Sequence, residues 1–457
     1  MKRLLVLALV VALGGCLSNP PPPAPDVAVP ATYRYAPDAS SGDSVTADWW
    51  RRFGSDELDR LVAQASAGNY DVAAAIARVK QARANARIAG AARFPNVSGF
   101  ADASRQGGFM VNDELPSGSA FDAGLSASYE IDFWGKNRAT SDAAIARVRA
   151  SESDRATVQV TLTADVANAW LQTVALRERE VIAARNLDTA RSILRNVESQ
   201  YRAGFVTALD AAQQRTLVAS QQRAMAALHQ QGNDSEASLA TLLGVPSSGF
   251  AVSTHSLDSL RAPAVDTGLP SSLLVRRPDV ASSEAQLAAA HADVAAARAA
   301  MFPTVTLTAS VGTGGDRIQR IFENPLYTVA GGLTAPIFNA GALAAGRDLA
   351  LAQQEELLAA YRQSIVAAFS DVERALNASA GADAQTQAQD DELREARRTL
   401  ELAQSRYRAG AETALTVLDA QRTLYAAEDE HVQLHLARLQ AAVSTYRALG
   451  GGWRAVP

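Results

Sequence analysis

The sequence predicts an α+β chain made by internal duplication: long helical hairpins joined to amphipathic strand pairs that suit a transmembrane β-barrel shared between chains. Three observations carry that prediction. The stretch Tyr201-Arg202-Ala203-Gly204 recurs as Tyr407-Arg408-Ala409-Gly410, 206 positions later, and shifting Leu187 to Leu209 by that offset gives 12 identities in 23 positions. After each of two Phe-Pro pairs, Phe94-Pro95 and Phe302-Pro303, the apolar period changes from that of a helix to two. Beyond the strands the chain is free of proline, from Ser117 to Val245 and from Ile337 to Ala455, so nothing forces a break in a long helix.

Taken in order, the chain opens with Lys2 and Arg3, an apolar run from Leu4 to Leu13, and Gly14-Gly15-Cys16. A charged start, a short apolar core and small residues before a cut mark an export signal, and this one resembles a bacterial lipoprotein signal, whose cysteine becomes the lipidated first residue. Cys16 is the only cysteine, which excludes a disulfide within the chain. A buried core position or a nucleophile are the other uses of a lone thiol, and its place directly after Gly14-Gly15 speaks against both. By the same resemblance, Leu17 in place of aspartate implies sorting to the outer membrane. Loss of Lys2 and Arg3 takes the formal charge from -5 to -7. A net charge of -5 and a pI near 5.7 argue against a nucleic-acid binder, which usually shows a basic stripe. No later segment has the roughly 18 continuous apolar residues of a transmembrane helix.

Residues 1–15 are thus read as signal peptide and 16–47 as a lipidated linker, with the Pro20 to Pro25 run extended. The first repeat is expected over 48–250, a linker over 251–272 and the second repeat over 273–457. The fold begins near Asp48-Trp49-Trp50, and an alanine-rich helix runs from Asp71 to Arg93. Asp279-Val280-Ala281 matches Asp71-Val72-Ala73, and Pro303 follows Pro95 by 208 positions, so a small indel separates the two registers.

In the first half Phe121, Ala123, Leu125, Ala127, Tyr129, Ile131 and Phe133 share one strand face, with Asp122, Gly124, Ser126, Ser128, Glu130 and Asp132 on the other. In the second, Val305, Leu307, Ala309 and Val311 alternate with threonine and serine, and Tyr327 to Ile337 alternate likewise. A strand near Val97 to Ser104 is less regular, since Phe100 falls out of phase. Two strands per half make four, long enough to cross a bilayer when tilted. A four-stranded sheet has two unpaired edges that lipid cannot satisfy, and single-chain bacterial barrels have about eight strands or more, so several chains must share one barrel. A soluble sandwich with one solvated face is the alternative.

Each strand pair leads into a helical hairpin. Leu187, Ala190, Leu194, Val197 and Tyr201, and then Leu393, Ala396, Leu400, Ala403 and Tyr407, step by three and four as a coiled-coil seam does. Gly204 and Gly410 sit where a helix needs a left-handed residue to stop, and Thr207 and Thr413 where the next needs an N-cap. A continuous helix from about Gly135 to Ala203 would be roughly 100 Å long. The return helix would end near Leu243, with Leu449-Gly450 as the counterpart of Leu243-Gly244.

The lipoprotein signal, the paired Tyr-Arg-Ala-Gly turns, Asp132-Phe133-Trp134-Gly135-Lys136, Arg277-Pro278-Asp279 followed by Glu284, and Leu418-Asp419-Ala420-Gln421-Arg422 together resemble the TolC-like outer membrane efflux channels. The match is to the lipoprotein (NodT-type) branch serving resistance-nodulation-division pumps, and it covers about Asp48 to Trp453. The resemblance implies a homotrimer with a twelve-stranded barrel in the outer membrane and a periplasmic α-barrel of twelve helices. Such channels are passive conduits, driven by an inner-membrane pump and joined to it by a periplasmic adaptor. The family's inward-turning tip implies a gate at Asp210, Leu415 and Asp419. Asp210 also fits a helix cap, as the acid of Thr207-Ala208-Leu209-Asp210, and Asp419 also fits a solvated helix face. Glu412 and Thr416 stand where some relatives carry a basic residue and an aspartate.

An enzyme requires a constellation that this sequence does not offer. Glu428, His431 and His435 share a helical face as metal ligands could, and a solvated face is the other reading; His229, His255 and His291 are isolated. No cofactor motif is present. A structural or adaptor lipoprotein without a pore is the competing reading, and the amphipathic strand pairs argue against it.

Overall fold

The computed structural model describes residues 25–35, 45–107, 118–263 and 265–454; Cys16 lies outside them. A 3₁₀ turn (Trp49–Phe53) is followed by α1 (Asp56–Gly68), α2 (Tyr70–Ala91), β1 (Asn96–Gln106), β2 (Gly118–Ile131), α3 (Lys136–Arg202) and α4 (Ala208–Leu243). A single helical turn (Pro270–Leu273) precedes α5 (Pro278–Ala299), β3 (Thr304–Gly315), β4 (Asn324–Thr334), α6 (Ala342–Arg408) and α7 (Ala414–Ala448). Both α3 and α6 are continuous helices of 67 residues, as the proline-free stretches predict. Each is preceded by a left-handed glycine, Gly135 (φ 77°) or Gly341 (φ 84°), 206 positions apart. The duplication therefore extends to backbone conformation. The chain divides into two compact units, one of 77–152 and 282–363, the other of 27–76, 153–281 and 364–457.

The first unit holds the sheet, antiparallel in the order β1-β2-β3-β4. Its registers place Gly99, Leu125, Val311 and Tyr327 in one row and Val97, Ala127, Ala309 and Val329 in the next on the same face. The intervening row, Ser98, Ser126, Ser310 and Thr328, belongs to the other face. One face is thus apolar and the other small and polar, across both halves. Phe100 is the exception anticipated in the sequence: it lies on the small face, opposite Gly124. A Cβ on Gly124 would come within 2.6 Å of the Val311 carbonyl and 2.9 Å of the Phe100 ring. The glycine leaves room for the ring, and the ring covers backbone that the glycine exposes.

Two strand ends differ from the sequence expectation. Phe133 falls beyond β2, and Ala335 and Ile337 fall beyond β4, which ends at Thr334 opposite Thr304. The partner strand β3 can begin only after Pro303, so the ladder stops where its partner does. At this end the chain turns sharply from sheet to helix. Asp132 accepts hydrogen bonds from the backbone N–H groups of Asn137 (3.0 Å) and Arg138 (2.7 Å), donors of the first turn of α3. Lys136 pairs with Glu130 at 2.6 Å. Trp134 donates to the Pro303 carbonyl at 2.7 Å and stacks on Phe302 with ring centroids 4.7 Å apart. The Asp-Phe-Trp-Gly-Lys motif is a corner that binds the end of β2 to the start of β3.

In the second unit, α1 is a helix that the sequence reading passed over. Ser55 caps it, accepting from Leu58 N at 3.2 Å, and Leu58, Leu61, Val62 and Ala65 are buried at helical spacing. Asn69 caps α2 through Asp71 N and Val72 N while its amide donates to the Leu242 carbonyl at 2.9 Å. Part of the expected 16–47 linker is packed: Tyr33 is buried, and Arg34 N donates to Glu373 at 2.9 Å. Arg277 explains the Arg-Pro-Asp motif. Buried, it donates to both oxygens of Asp279 (2.8 and 2.6 Å), to Asp371 (3.1 Å) and to the Ala448 carbonyl at the end of α7 (3.1 Å). Burial opposes its charge, and the two carboxylates more than restore it, so its pKa rises.

Glu57 ties α1 to the segment joining the halves. Its carboxylate accepts from Ser253 N (2.7 Å), Ser253 Oγ (2.7 Å), Thr254 N (3.1 Å) and Trp170 Nε1 (3.1 Å). Burial alone would raise its pKa, but these donors outweigh it and hold the group at about 2. A lowered pKa contributes stability that is complete above the unfolded value near 4.5 and is lost as the pH falls toward 2. Glu57→Gln should therefore melt below wild type at neutral pH, with the gap closing as the pH drops through that window. Thermal unfolding followed by circular dichroism at stepped pH measures it, and a gap independent of pH would contradict the assignment.

Candidate functional site

The two hairpin tips lie in the second unit, at the α3–α4 and α6–α7 turns. Each helix ends in the same way. Gly204 (φ 79°) donates to the Tyr201 carbonyl and Phe205 to that of Gln200, at 3.0 and 2.9 Å; Gly410 (φ 72°) and Ala411 repeat this on Tyr407 and Arg406 at 3.0 and 2.9 Å. This double bond pattern closes a helix around a left-handed residue, the role the sequence assigns to both glycines. The two tyrosines diverge. Tyr201 is exposed, whereas Tyr407 donates its hydroxyl to Gln200 Oε1 of the first repeat and so ties the repeats together. Burial, and next the Asp210 carboxylate, push the Tyr407 phenol pKa up.

The helix starts differ as well. Thr207 forms a full capping box: its hydroxyl accepts from Asp210 N at 3.2 Å, and Asp210 Oδ2 accepts from Thr207 N at 2.8 Å. Thr413 occupies the N-cap of α7 but makes no side-chain capping bond. Its hydroxyl lies 3.3 Å from that of Thr416, which in turn donates to Glu412 Oε2 at 3.3 Å. Glu412 also accepts from Arg406 Nε at 3.1 Å. Glu412 and Thr416 are thus engaged with each other, and Glu412 with Arg406.

Leu415, Asp419 and Arg422 follow one another at helical spacing on the exposed stripe of α7. Leu415 is 46% exposed and the Asp419 side chain 64%, with Arg422 Nη1 at 4.0 Å from Asp419 Oδ1. The opposite stripe, Val417, Leu418, Ala420, Gln421 and Leu424, is buried. It packs with Leu187, Ala190, Leu217, Leu393, Leu400 and other residues of all four hairpin helices, the seam that the sequence spacing predicts. The sequence reading missed the polar groups inside this seam. Gln214 Nε2 donates to the Ala190 carbonyl (3.2 Å) and lies 3.4 Å from Gln421 Oε1; Gln421 donates to Tyr425 (3.0 Å), and Tyr425 to the Asn186 carbonyl (3.1 Å). Burial, with Glu428 nearby, pushes the Tyr425 phenol up to about 12. Each group is satisfied, so the chain of bonds fixes the relative register of α3, α4 and α7.

The considered metal group is not assembled. Glu428 is paired with Arg185 at 3.1 Å, and His431 Nδ1 lies 3.4 Å from Asp390. Among the described residues no cluster of three or more His, Cys, Asp or Glu could hold a metal ion, and no helix is long and apolar enough to cross a membrane.

An outer membrane efflux protein model matches residues 61–245 and 269–451, one segment for each half of the duplication. The chain belongs to the outer membrane efflux protein family. It is similar to the pyoverdine export outer membrane protein OpmQ of Pseudomonas aeruginosa, 50% identical over 462 residues that cover 99% of this chain and 98% of that protein. It is 33% identical to the antibiotic efflux pump outer membrane protein ArpC of Pseudomonas putida over 464 residues, 99% of this chain and 96% of that one. Among solved structures it resembles the outer-membrane channel OprN, with a TM-score of 0.89 at 29% identity, covering 96% of this chain and 100% of that one. The efflux protein is thus an outer membrane channel, with its strands in the β-barrel and its long hairpins in the periplasmic helical barrel.

The capping box separates charge from helix capping at Asp210. Thr207→Ala removes the hydroxyl and should cost about 1 kcal/mol, whereas Asp210→Asn keeps an acceptor for Thr207 N and should cost clearly less. Chemical unfolding of the helical signal measures both; equal losses would mean that the Asp210 charge, rather than the bond, stabilises the turn.

Proposed function

We propose that three copies of this efflux protein share one barrel and form a passive conduit from a periplasmic adaptor and inner-membrane pump to the exterior. The observation that carries this reading is the sheet: four strands with one apolar and one small polar face, and two outer edges that hydrocarbon would leave unsatisfied. A pore-free structural or adaptor lipoprotein has no use for such a sheet. Nor do the carboxylates and histidines favour an enzyme: Glu428 pairs with Arg185 and His229 with Glu180, as ion pairs of the fold. Cys16, after its lipoprotein-type signal, carries the lipid that anchors the mature chain, and the barrel is the second anchor.

The gate lies at the hairpin tips, where Leu415 and Asp419 are presented on the exposed stripe of α7 and Asp210 caps α4. Three Leu415 side chains make a dry barrier, and a ring of Asp419 carboxylates attracts cations and repels anions. Arg422, 4.0 Å from Asp419, offsets part of that charge. Closed channels therefore conduct poorly and favour cations. In planar bilayers, Leu415→Ser should raise single-channel conductance and Asp419→Ala should lower cation preference, the latter more at low salt, where screening is weak. A double variant indistinguishable from wild type in both properties would place the gate elsewhere.

A further inference from the structure

β1 and β4 are the outer strands of the sheet, and neither has a further strand beside it among the described residues. The duplication specifies what would pair there. β1 corresponds to β3 by the 208-residue offset of the Phe-Pro pairs, and β2 to β4 by the 206-residue offset of the hairpins. Both offsets hold through the ladders, because together they carry the pair Asn96↔Ser128 onto Thr304↔Thr334, a pair that the structure contains. The seam between β2 and β3 is therefore a junction between the second strand of one repeat and the first strand of the next. At the outer edges that junction recurs, with β4 in the place of β2 and β1 of another copy in the place of β3. Moving β2 forward by 206 and β3 back by 208 turns Gly124↔Gly312 into Ala330↔Ser104 and Ile131↔Val305 into Ile337↔Val97.

We infer that β4 of one copy pairs with β1 of a second in this register, so that Leu333 stands opposite Ala101 of the partner subunit and Ile337 opposite Val97 of the partner subunit. The inference rests on the shared-barrel reading and goes beyond it by fixing the register. The faces agree: Leu333, Ala335 and Ile337 meet Ala101, Gly99 and Val97 of the partner subunit, all on the apolar side. A slip of one residue would mix the two faces. The strand length agrees as well. Ala335 to Ile337 continue the alternation of β4 yet have no partner in their own sheet, because β3 starts at Thr304. In the inferred ladder β1 of the partner subunit extends far enough to pair them.

Exposure points to the same junction. Ile337 is 92%, Phe338 89% and Phe94 71% exposed in the single chain, while the equivalent corner at the internal seam is filled by Trp134 stacked on Phe302. In the inferred junction Ala340 takes the place of Trp134, opposite Phe94 of the partner subunit, and Phe338 lies diagonal to that ring, within reach of it.

Paired cysteines test the register. Directly opposite residues have Cα separations of about 4.5–5.5 Å, within disulfide reach, whereas diagonal pairs at about 7–8 Å are not. Ala330→Cys with Ser104→Cys, and independently Thr328→Cys with Gln106→Cys, should shift the monomer on a denaturing, non-reducing gel to bands of two and three chains that reduction abolishes. The slipped pairs Ala330→Cys with Asp102→Cys and Ala330→Cys with Gln106→Cys should stay monomeric on that gel, and the single variants control for Cys16. A native gel of the reduced proteins checks assembly. Cross-linking of a slipped pair, or of neither in-register pair, in protein that still assembles would overturn the register and leave the shared barrel standing. A folded monomer on the native gel would remove the shared barrel itself.

Discussion

Hydrocarbon offers no hydrogen bonds, and this rule decides what the four strands can be. Within the sheet every ladder is continuous, and the two seams inside the repeats are joined by a third between them. Only the outer edges of β1 and β4 remain, and no rearrangement of one chain brings them together, since four strands are too few to close a barrel. A membrane location therefore makes oligomerisation a requirement of backbone chemistry. In the proposed barrel the apolar face turns to lipid and the small, polar face to water, and on that small face Gly124 and Phe100 trade volume.

The helical unit solves a different problem. Helices of 67 residues cannot be held by a globular core, so α3, α4, α6 and α7 rely on a narrow seam. Small residues such as Ala190, Ala396, Ala403 and Ala420 allow close approach, and leucines fill the space between. Apolar seams slide easily, and the Gln214, Gln421, Tyr425 and Asn186 bonds give this one a defined register. The same economy is visible at the tips. Schellman-type ends and one capping box shape the turns from backbone and short side chains, leaving Leu415 and Asp419 unburied on α7.

Much of this was legible because duplication writes each element twice. The Tyr-Arg-Ala-Gly copies locate both hairpin tips, the Phe-Pro pairs locate both strand starts, and proline-free stretches set the helix lengths. What was not legible depends on which polar residues tertiary contacts bury. Nothing in the spacing of Glu57, Arg277, Gln214 or Gln421 distinguishes them from solvated neighbours, and their roles emerge only where a distant carbonyl or amide meets them. α1 was readable in hindsight from Ser55 and the Leu58, Leu61, Val62, Ala65 spacing. Thr413 shows the opposite error, a capping residue by pattern whose hydroxyl turns instead to Thr416.

In the proposed assembly, backbone pairing in lipid obliges three chains to complete one barrel. Native mass spectrometry of the mature protein released from detergent counts the chains directly. A trimer is expected as the smallest species that retains β structure. A stable monomer with its sheet intact would contradict it.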